Sequence, residues 1–354
     1  MKKIFGLIII FASMTFIACS EDNTKSDDST MATEAELNTV INNYVDNVVI
    51  PTYADMENKI AALKTHVDAF IADGTQKSLD AACTAWRAAR NPWELSEAFL
   101  FGPADYLGLD PMLDSWPLDK DAIDAILANL DFKEVDGDEN IRGFHTLEYL
   151  LFEGGSNKVA ANISSSQKQY MAKVSSLLDS DTKKLHSEWV NNYGSEFKTH
   201  SSDRIISAYN AVAQIVEGCI DIAGEVGEQK IGNPYQLYTA GKTEEGVLAV
   251  ESWYSWNSLT DYRNNILSIQ NSYLGGTNNS RNDANSLSAL VRQYNEATDK
   301  EIKQAITDAI SAIDNIPAPF RNHLEAKTEI EAAQDILAEL QISLLKIKSA
   351  LGID

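Results

Sequence analysis

Apolar residues recur along this chain at intervals of three and four, the spacing that gathers one face of an α-helix. Leu37, Val40, Ile41, Tyr44, Val45 and Val48 mark a first helix, which Pro51 is expected to stop. Met56, Ile60, Leu63, Val67 and Phe70 mark a second, ending near Asp73-Gly74. Further stripes run from Met171 through Leu185 to Phe197 and from Ile205 through Val216 to Val226. In the last segment Ile330, Leu337, Leu344 and Leu351 repeat every seven residues, with Ala333, Leu340 and Ile347 between them. Strand-like alternation is almost absent. The pattern predicts an all-α protein. A chain of 354 residues exceeds what one core ordinarily holds. Two packed helical bundles are therefore expected, 34–200 and 201–354, with Ser201-Ser202-Asp203 as helix cap and boundary.

The connections hold the irregular sequence. Gly102 to Pro117 reads as a long loop ending at Asp119, a fair N-cap for a helix through Leu130. Gly154 to Ser166 reads as a polar link before a helix reaching about His200.

The first residues bear on location. Lys2 and Lys3 precede an apolar run from Ile4 to Ile17, and Phe16-Ile17-Ala18-Cys19 resembles a cleavage box. The run is too short and too early to span a bilayer, so 1–18 reads as a signal peptide. A cysteine directly after the cut is the mark of a bacterial lipoprotein, which makes Cys19 the expected lipidation site and membrane anchor. Residues 19–33 are polar and acidic and read as a disordered tether. The mature protein is expected in the cell envelope, anchored to the outer membrane on its periplasmic or surface-exposed face.

The chain carries 52 acidic against 29 basic residues, a formal charge of -23. So acidic a surface repels nucleic acid, which is excluded as a partner, and is compatible with attracting cations. Apart from Cys19, only Cys83 and Cys219 remain, both on amphipathic helical patterns and read as buried small hydrophobes rather than a disulfide.

Two segments carry candidate chemistry. In Gly143-Phe144-His145-Thr146-Leu147-Glu148, the three-residue spacing places His145 and Glu148 on one helical face. An imidazole and a carboxylate so placed suit a divalent metal, and they equally suit a buried histidine hydrogen-bonded within a bundle. The second segment runs from Trp86 to Pro103. If its helix continues across Pro92, Trp86, Arg90, Glu94, Glu97 and Phe101 share one stripe. Arg90 and Glu94 can pair with each other, leaving Glu97 to meet a cation. The plainer reading is a surface helix with i,i+4 ion pairs.

Together these segments resemble the imelysin-like family. Gly143-Phe144-His145-Thr146-Leu147-Glu148 matches its Gly-x-His-x-x-Glu motif, and the run Trp86 to Pro103 is similar to its other signature helix. Trp116-Pro117-Leu118-Asp119 and Ser255 to Ile266 resemble two further segments. The resemblance implies two related helical bundles packed side by side, with the motif helix near their junction. It implies an exported bacterial protein, often a lipoprotein, associated with iron acquisition and carrying a peptidase label. His145 and Glu148 would form the core of the site, Glu94, Glu97 and Arg90 would line it, and Asp261 and Asn264 would face it from the other bundle.

A hydrolytic zinc centre wants three protein ligands, an open position for water and a carboxylate base. Here the His-x-x-Glu helix supplies two ligands, Glu97 is the natural third, and Arg90 neutralises the nearest base, Glu94. A carboxylate-rich set with one imidazole suits iron, manganese or calcium at least as well as zinc. His66, His186, His200 and His323 stand singly in polar surroundings and read as surface positions. The leading expectation is thus a non-enzymatic protein binding a metal ion or metal-bearing ligand between its bundles. A metallopeptidase is the rival, and a metal-free scaffold for another envelope protein is a third reading.

Overall fold

The computed structural model describes residues 31–353; the expected signal peptide, Cys19 and most of the expected tether lie outside the described residues. The chain is helical nearly throughout. A continuous rod opens it: α1 (Glu34–Tyr44), a π-helical stretch (Val45–Val49) and α2 (Ile50–Asp73). Pro51 does not stop this rod. It lies in the first turn of α2, where the wider π turn needs no N–H from it. Gly74, with φ 65°, ends α2 in the left-handed region. At the other end of the rod Thr33 caps α1, and the buried Ala32 donates its N–H to Leu351 O at 2.9 Å. The last residues of the stretch read as tether, Ala32 and Thr33, are thus part of the folded structure.

Helix α3 (Gln76–Glu94) runs across Pro92, and a 3₁₀ turn carries Glu97 to Phe99. The segment read as a loop contains two short helices, α4 (Pro103–Tyr106) and α5 (Leu109–Asp114). Asp119 caps α6 (Lys120–Asn129), as its side chain promised. The motif helix α7 (Gly143–Leu151) leads into a two-residue hairpin, Phe152–Glu153 with Ser156–Asn157, the only strand pairing among the described residues. Then come α8 (Ser165–Glu188), a π-helical stretch (Trp189–Tyr193) and α9 (Gly194–Thr199).

The second half holds α10 (Ala208–Gly224), a π-helical stretch (Glu225–Gly232), α11 (Asn233–Thr239) and α12 (Thr243–Ala249). It closes with α13 (Ser258–Leu274), α14 (Leu287–Tyr294), α15 (Glu296–Asn315) and α16 (Lys327–Leu351). The cap of α10 is Ser207, whose side chain accepts from Asn210 N; it is not the Ser201-Ser202-Asp203 run.

Helix α2 packs against α3 and α8, and α7 against α8; among the later helices α16 packs against α10 and α15, and α13 against α15. All seven heptad residues of α16 are buried. Helices α1 and α10 meet, as do α3 and α13, and the apolar residues of all these elements form one cluster. The α3–α13 contact places Arg90 opposite Asp261. Cys83 and Cys219 are buried and unpaired, and burial pushes both thiols up to about 12.

Candidate functional site

Helix α7 starts on a glycine for a steric reason. Gly143 has φ +80°, and a Cβ there would lie 2.4 Å from Leu113 O. Only a residue without a side chain lets α7 approach the end of α5 so closely. The approach delivers His145 to Asp114, the residue after Leu113. On the other side Trp86 Nε1 donates to Phe144 O at 3.0 Å, so Trp86 steadies α7 from α3 and is not itself among the charged groups.

His145 is fully buried. Its Nδ1 lies 3.0 Å from Glu148 Oε2, the contact between residues three apart on one helical face. Glu148 is held in turn by Ser255, whose N and Oγ both donate to Oε1 at 2.7 Å. Glu148 therefore fixes the ring from the Nδ1 side. The other ring nitrogen is less settled: Nε2 is 3.1 Å from Asp114 Oδ1 and 3.4 Å from Glu251 Oε1, and forms a well-aligned hydrogen bond to neither. Trp116 covers the imidazole edge-on, with ring centroids 4.8 Å apart.

Arg90, also fully buried, gathers the surrounding carboxylates. It contacts Glu94 and Asp114, reaches Glu251 Oε1 at 2.7 Å and lies 3.5 Å from Asp261 Oδ2. Each partner is pinned again from behind. Trp93 Nε1 donates to Asp114 Oδ2 at 2.5 Å, Asn265 Nδ2 to Glu94 Oε2 at 2.6 Å and Asn257 Nδ2 to Asp261 Oδ1 at 2.6 Å. Lys230 Nζ is 2.9 Å from Glu251 Oε2 and 4.0 Å from Glu97 Oε1. Glu97 thus pairs with Lys230 and does not reach His145. Asn264 donates to Asn91 at 3.1 Å, beside the cluster.

The electrostatics divide the carboxylates. Burial works against the charge on Arg90, yet Asp114, Glu94, Asp261 and Glu251 outweigh it and hold the guanidinium protonated. Burial likewise opposes the His145 cation, but Asp114 raises the imidazole well above its usual range. For Asp114 and Glu251 burial is overcome by cations, Arg90 and His145 for the first and Lys230 foremost for the second, so both stay ionised. Burial dominates at Glu94 and Glu97, which rise well above the usual carboxylate range, and takes Asp261 up to about 6. The two carboxylates held below the usual range, Asp114 and Glu251, are those facing His145 Nε2.

That arrangement fits a cation. One ligand atom each from Asp114, His145 and Glu251 all lie within 4.8 Å of one another. One imidazole nitrogen and two ionised carboxylates form a donor set for a divalent metal, and the histidine's other nitrogen is oriented by a carboxylate, as metal-bound histidines usually are. Arg90 shares the same Asp114 and Glu251 oxygens. A carboxylate oxygen has two lone pairs, so one can face the guanidinium while the other faces a metal. One ligand atom each from Glu94, Glu97 and Asp114 also lie within 4.8 Å of one another. A cleft of about 320 Å³ opens beside the set, lined by Asp114, Trp116, Glu225, Lys230 and Glu251 among others.

Sequence reasoning reached His145, Glu148, Arg90, Glu94 and Asp261, all of which the fold brings together. It missed Asp114, Glu251, Lys230, Ser255 as a partner of Glu148, and Asn265. Asp114 stands two residues before the Trp116-Pro117 segment, and Asn265 is four residues after Asp261 on the same helical face.

Comparison with known proteins agrees with this architecture. The chain is 30% identical over 321 residues to iron-regulated protein A of Synechococcus elongatus, covering 87% of this chain and 84% of that one. A crystal structure of a protein named as an iron-regulated protein A precursor, from Parabacteroides distasonis, superimposes with a TM-score of 0.87 at 39% identity, covering 93% and 98% of the two chains. An imelysin-like protein from Psychrobacter arcticum shares the fold at 18% identity, with a TM-score of 0.72 over 91% of this chain and 98% of its own. The family profile described as imelysin matches residues 49–345, and this chain, with its helical bundles and its Gly-x-His-x-x-Glu helix buried among carboxylates, belongs to the imelysin family.

Proposed function

We propose that this protein binds a divalent cation, or a ligand bearing one, through Asp114, His145 and Glu251, and serves iron acquisition as an exported lipoprotein anchored by Cys19. The observation that carries the reading is the buried His145 Nε2, which lies between two ionised carboxylates and makes a well-aligned hydrogen bond to neither. Glu148 and Ser255 orient the ring, and Arg90 and Lys230 keep the acids charged and apart. The relatives named for iron regulation support the choice of iron as cargo. No described helix is long and apolar enough to cross a membrane.

Elemental analysis of protein purified without chelator, followed by calorimetric titration with iron, manganese, zinc and calcium, tests the reading. Saturable binding of one cation per chain is expected, abolished in His145→Ala. Absence of heat with every cation would refute it. Mass spectrometry of envelope fractions should find a lipid-bearing Cys19, lost in Cys19→Ser.

The family's peptidase label supports a second reading, in which a metal on the same residues would activate water. Against it, the carboxylates near enough to act as base are engaged, Glu148 by Ser255 and His145, and Glu94 by Arg90 and Asn265. Chelator-sensitive cleavage of an unfolded protein would favour the peptidase, and intact substrate after prolonged incubation would eliminate it.

A further inference from the structure

The space beside the cation site is far larger than an ion requires. A water molecule occupies about 30 Å³ in the liquid, whereas small-molecule sites run from roughly 300 Å³ upward. The charged cleft alone is about 320 Å³. Against it lies a second cavity of about 420 Å³ of opposite character, formed mainly by Trp116, Leu118, Leu248, Trp253 and Tyr254. The two share Trp116, Pro117 and Ala249.

An aromatic row connects the site to this second cavity. Trp116 meets the His145 ring at 4.8 Å, Tyr254 meets Trp116 at 6.4 Å, and Trp253 stacks on Tyr254 at 4.3 Å. These rings are held in place. Trp116 Nε1 donates to Ala249 O at 3.2 Å, Gly155 N to Tyr254 O at 2.9 Å and Arg321 Nη1 to Trp253 O at 3.1 Å. The segment carrying Trp253 and Tyr254 bends through positive φ at Ser252 (52°) and Trp256 (61°), a conformation side chains rarely adopt and that the fold must enforce. The bend turns Glu251 and Ser255 toward His145 and Glu148 while Trp253 and Tyr254 line the apolar cavity. Leu248, on the last turn of α12, is 46% exposed, an apolar side chain left facing water.

We infer that the ligand is a metal chelate with a flat, apolar organic body: its metal sits on Asp114, His145 and Glu251, and its body packs against Trp116, Leu248, Trp253 and Tyr254. The inference rests on the cation reading above and adds the organic half of the ligand. Charge complementarity orients the occupant. The cleft has the carboxylates of Asp114, Glu225 and Glu251 against the single ammonium of Lys230 and accepts the positive end, while the second cavity is apolar apart from Lys120 and Glu245.

Calorimetry with zinc alone, 1,10-phenanthroline alone and their 1:1 complex tests this, since a single phenanthroline leaves the metal with open positions for protein ligands. The 1:1 complex is expected to bind the full-length protein at least tenfold more tightly than zinc alone. Leu248→Asp and Trp253→Ala, each checked for folding by circular dichroism, should remove that gain relative to their own affinity for zinc. Equal or weaker binding of the complex while zinc alone binds would overturn the inference and leave the cation reading standing. A gain that survives both variants would also overturn it, because the organic body would then lie elsewhere. Binding of neither zinc nor the complex overturns it too, and the separate titrations with iron, manganese and calcium then judge the cation reading.

Discussion

Gly143→Ala should both destabilise the fold and weaken the cation site, because it puts a methyl group where α7 meets the end of α5. Any residue but glycine at φ +80° costs about 1–2 kcal/mol in backbone energy. The new methyl would also lie 2.4 Å from Leu113 O and 3.1 Å from Met112 O, both backbone atoms that no rotamer change can clear. To restore ordinary contact the end of α5 must retreat by roughly 1 Å, so the total cost should be on the order of 2–4 kcal/mol. The retreat carries Asp114 with it, lengthening its 3.1 Å approach to His145 Nε2. Cation affinity should therefore fall at least tenfold, the scale on which displaced supporting groups act. Gly137→Ala is the control: φ is -116° there, a Cβ meets nothing within 4 Å, and stability should change by less than about 0.5 kcal/mol. Urea denaturation and calorimetry on the three proteins measure both quantities. Wild-type stability in Gly143→Ala would refute the steric argument. A destabilised variant with unchanged affinity would show instead that this backbone contact does not position Asp114 for binding.

Replacing Arg90 with Met leaves Glu94, Asp114, Glu251 and Asp261 without their shared cation and should cost about 3–5 kcal/mol at pH 7. The deficit should shrink at pH 5 as those acids protonate, which urea denaturation at the two values measures. Cation binding should strengthen as pH rises, by up to about tenfold per unit, because the metal must displace a proton from an imidazole held above its usual range. Without metal the sign reverses for stability: the raised His145 contributes stability present below about pH 6.5 and lost as pH climbs through its folded value. Asp110, pushed by burial and then by Asp114 up to about 7, has no hydrogen-bond partner among the described residues, and its folded state disfavours the charge. Asp110→Asn should therefore raise stability at pH 8 by on the order of 1–2 kcal/mol and leave it unchanged near pH 4, as thermal unfolding would report.

Helical periodicity carried the fold because most helices here bury one stripe, and α16 does so through seven successive heptad positions. It failed where geometry departs from 3.6 residues per turn. The π-helical stretches at Val45–Val49, Trp189–Tyr193 and Glu225–Gly232 rotate the apolar stripe without any marker residue. Pro51 read as a stop for the same reason. In the candidate site, contacts within one helix were legible: His145 with Glu148 at three residues, Arg90 with Glu94 at four. Contacts between elements were not legible from spacing, and only the family resemblance brought Asp261 to the site. Asp114 sits in a six-residue helix with no periodic signature, and Glu251 in a bend whose positive φ values fall on Ser252 and Trp256 rather than on glycines. Nothing local distinguishes either acid from its many neighbours in so acidic a chain.

The buried charges themselves argue for binding over architecture. An ion pair sealed from water seldom stabilises a protein relative to well-packed apolar side chains, since desolvation offsets the attraction. This site compounds the cost by placing several carboxylates around one guanidinium and one ammonium, and by leaving His145 Nε2 without a hydrogen bond. If the cluster served only to hold α3, α7 and α13 together, leucines would do it better. A group that takes positive charge from solvent into the Asp114–His145–Glu251 gap changes that balance, because it would meet the two carboxylates that the site keeps ionised. Arg90 and Lys230 then act as placeholders that keep the acids ionised and separated until the cation arrives. On this account the protein's stability should increase with cation concentration, and it should do so less in His145→Ala than in the wild type.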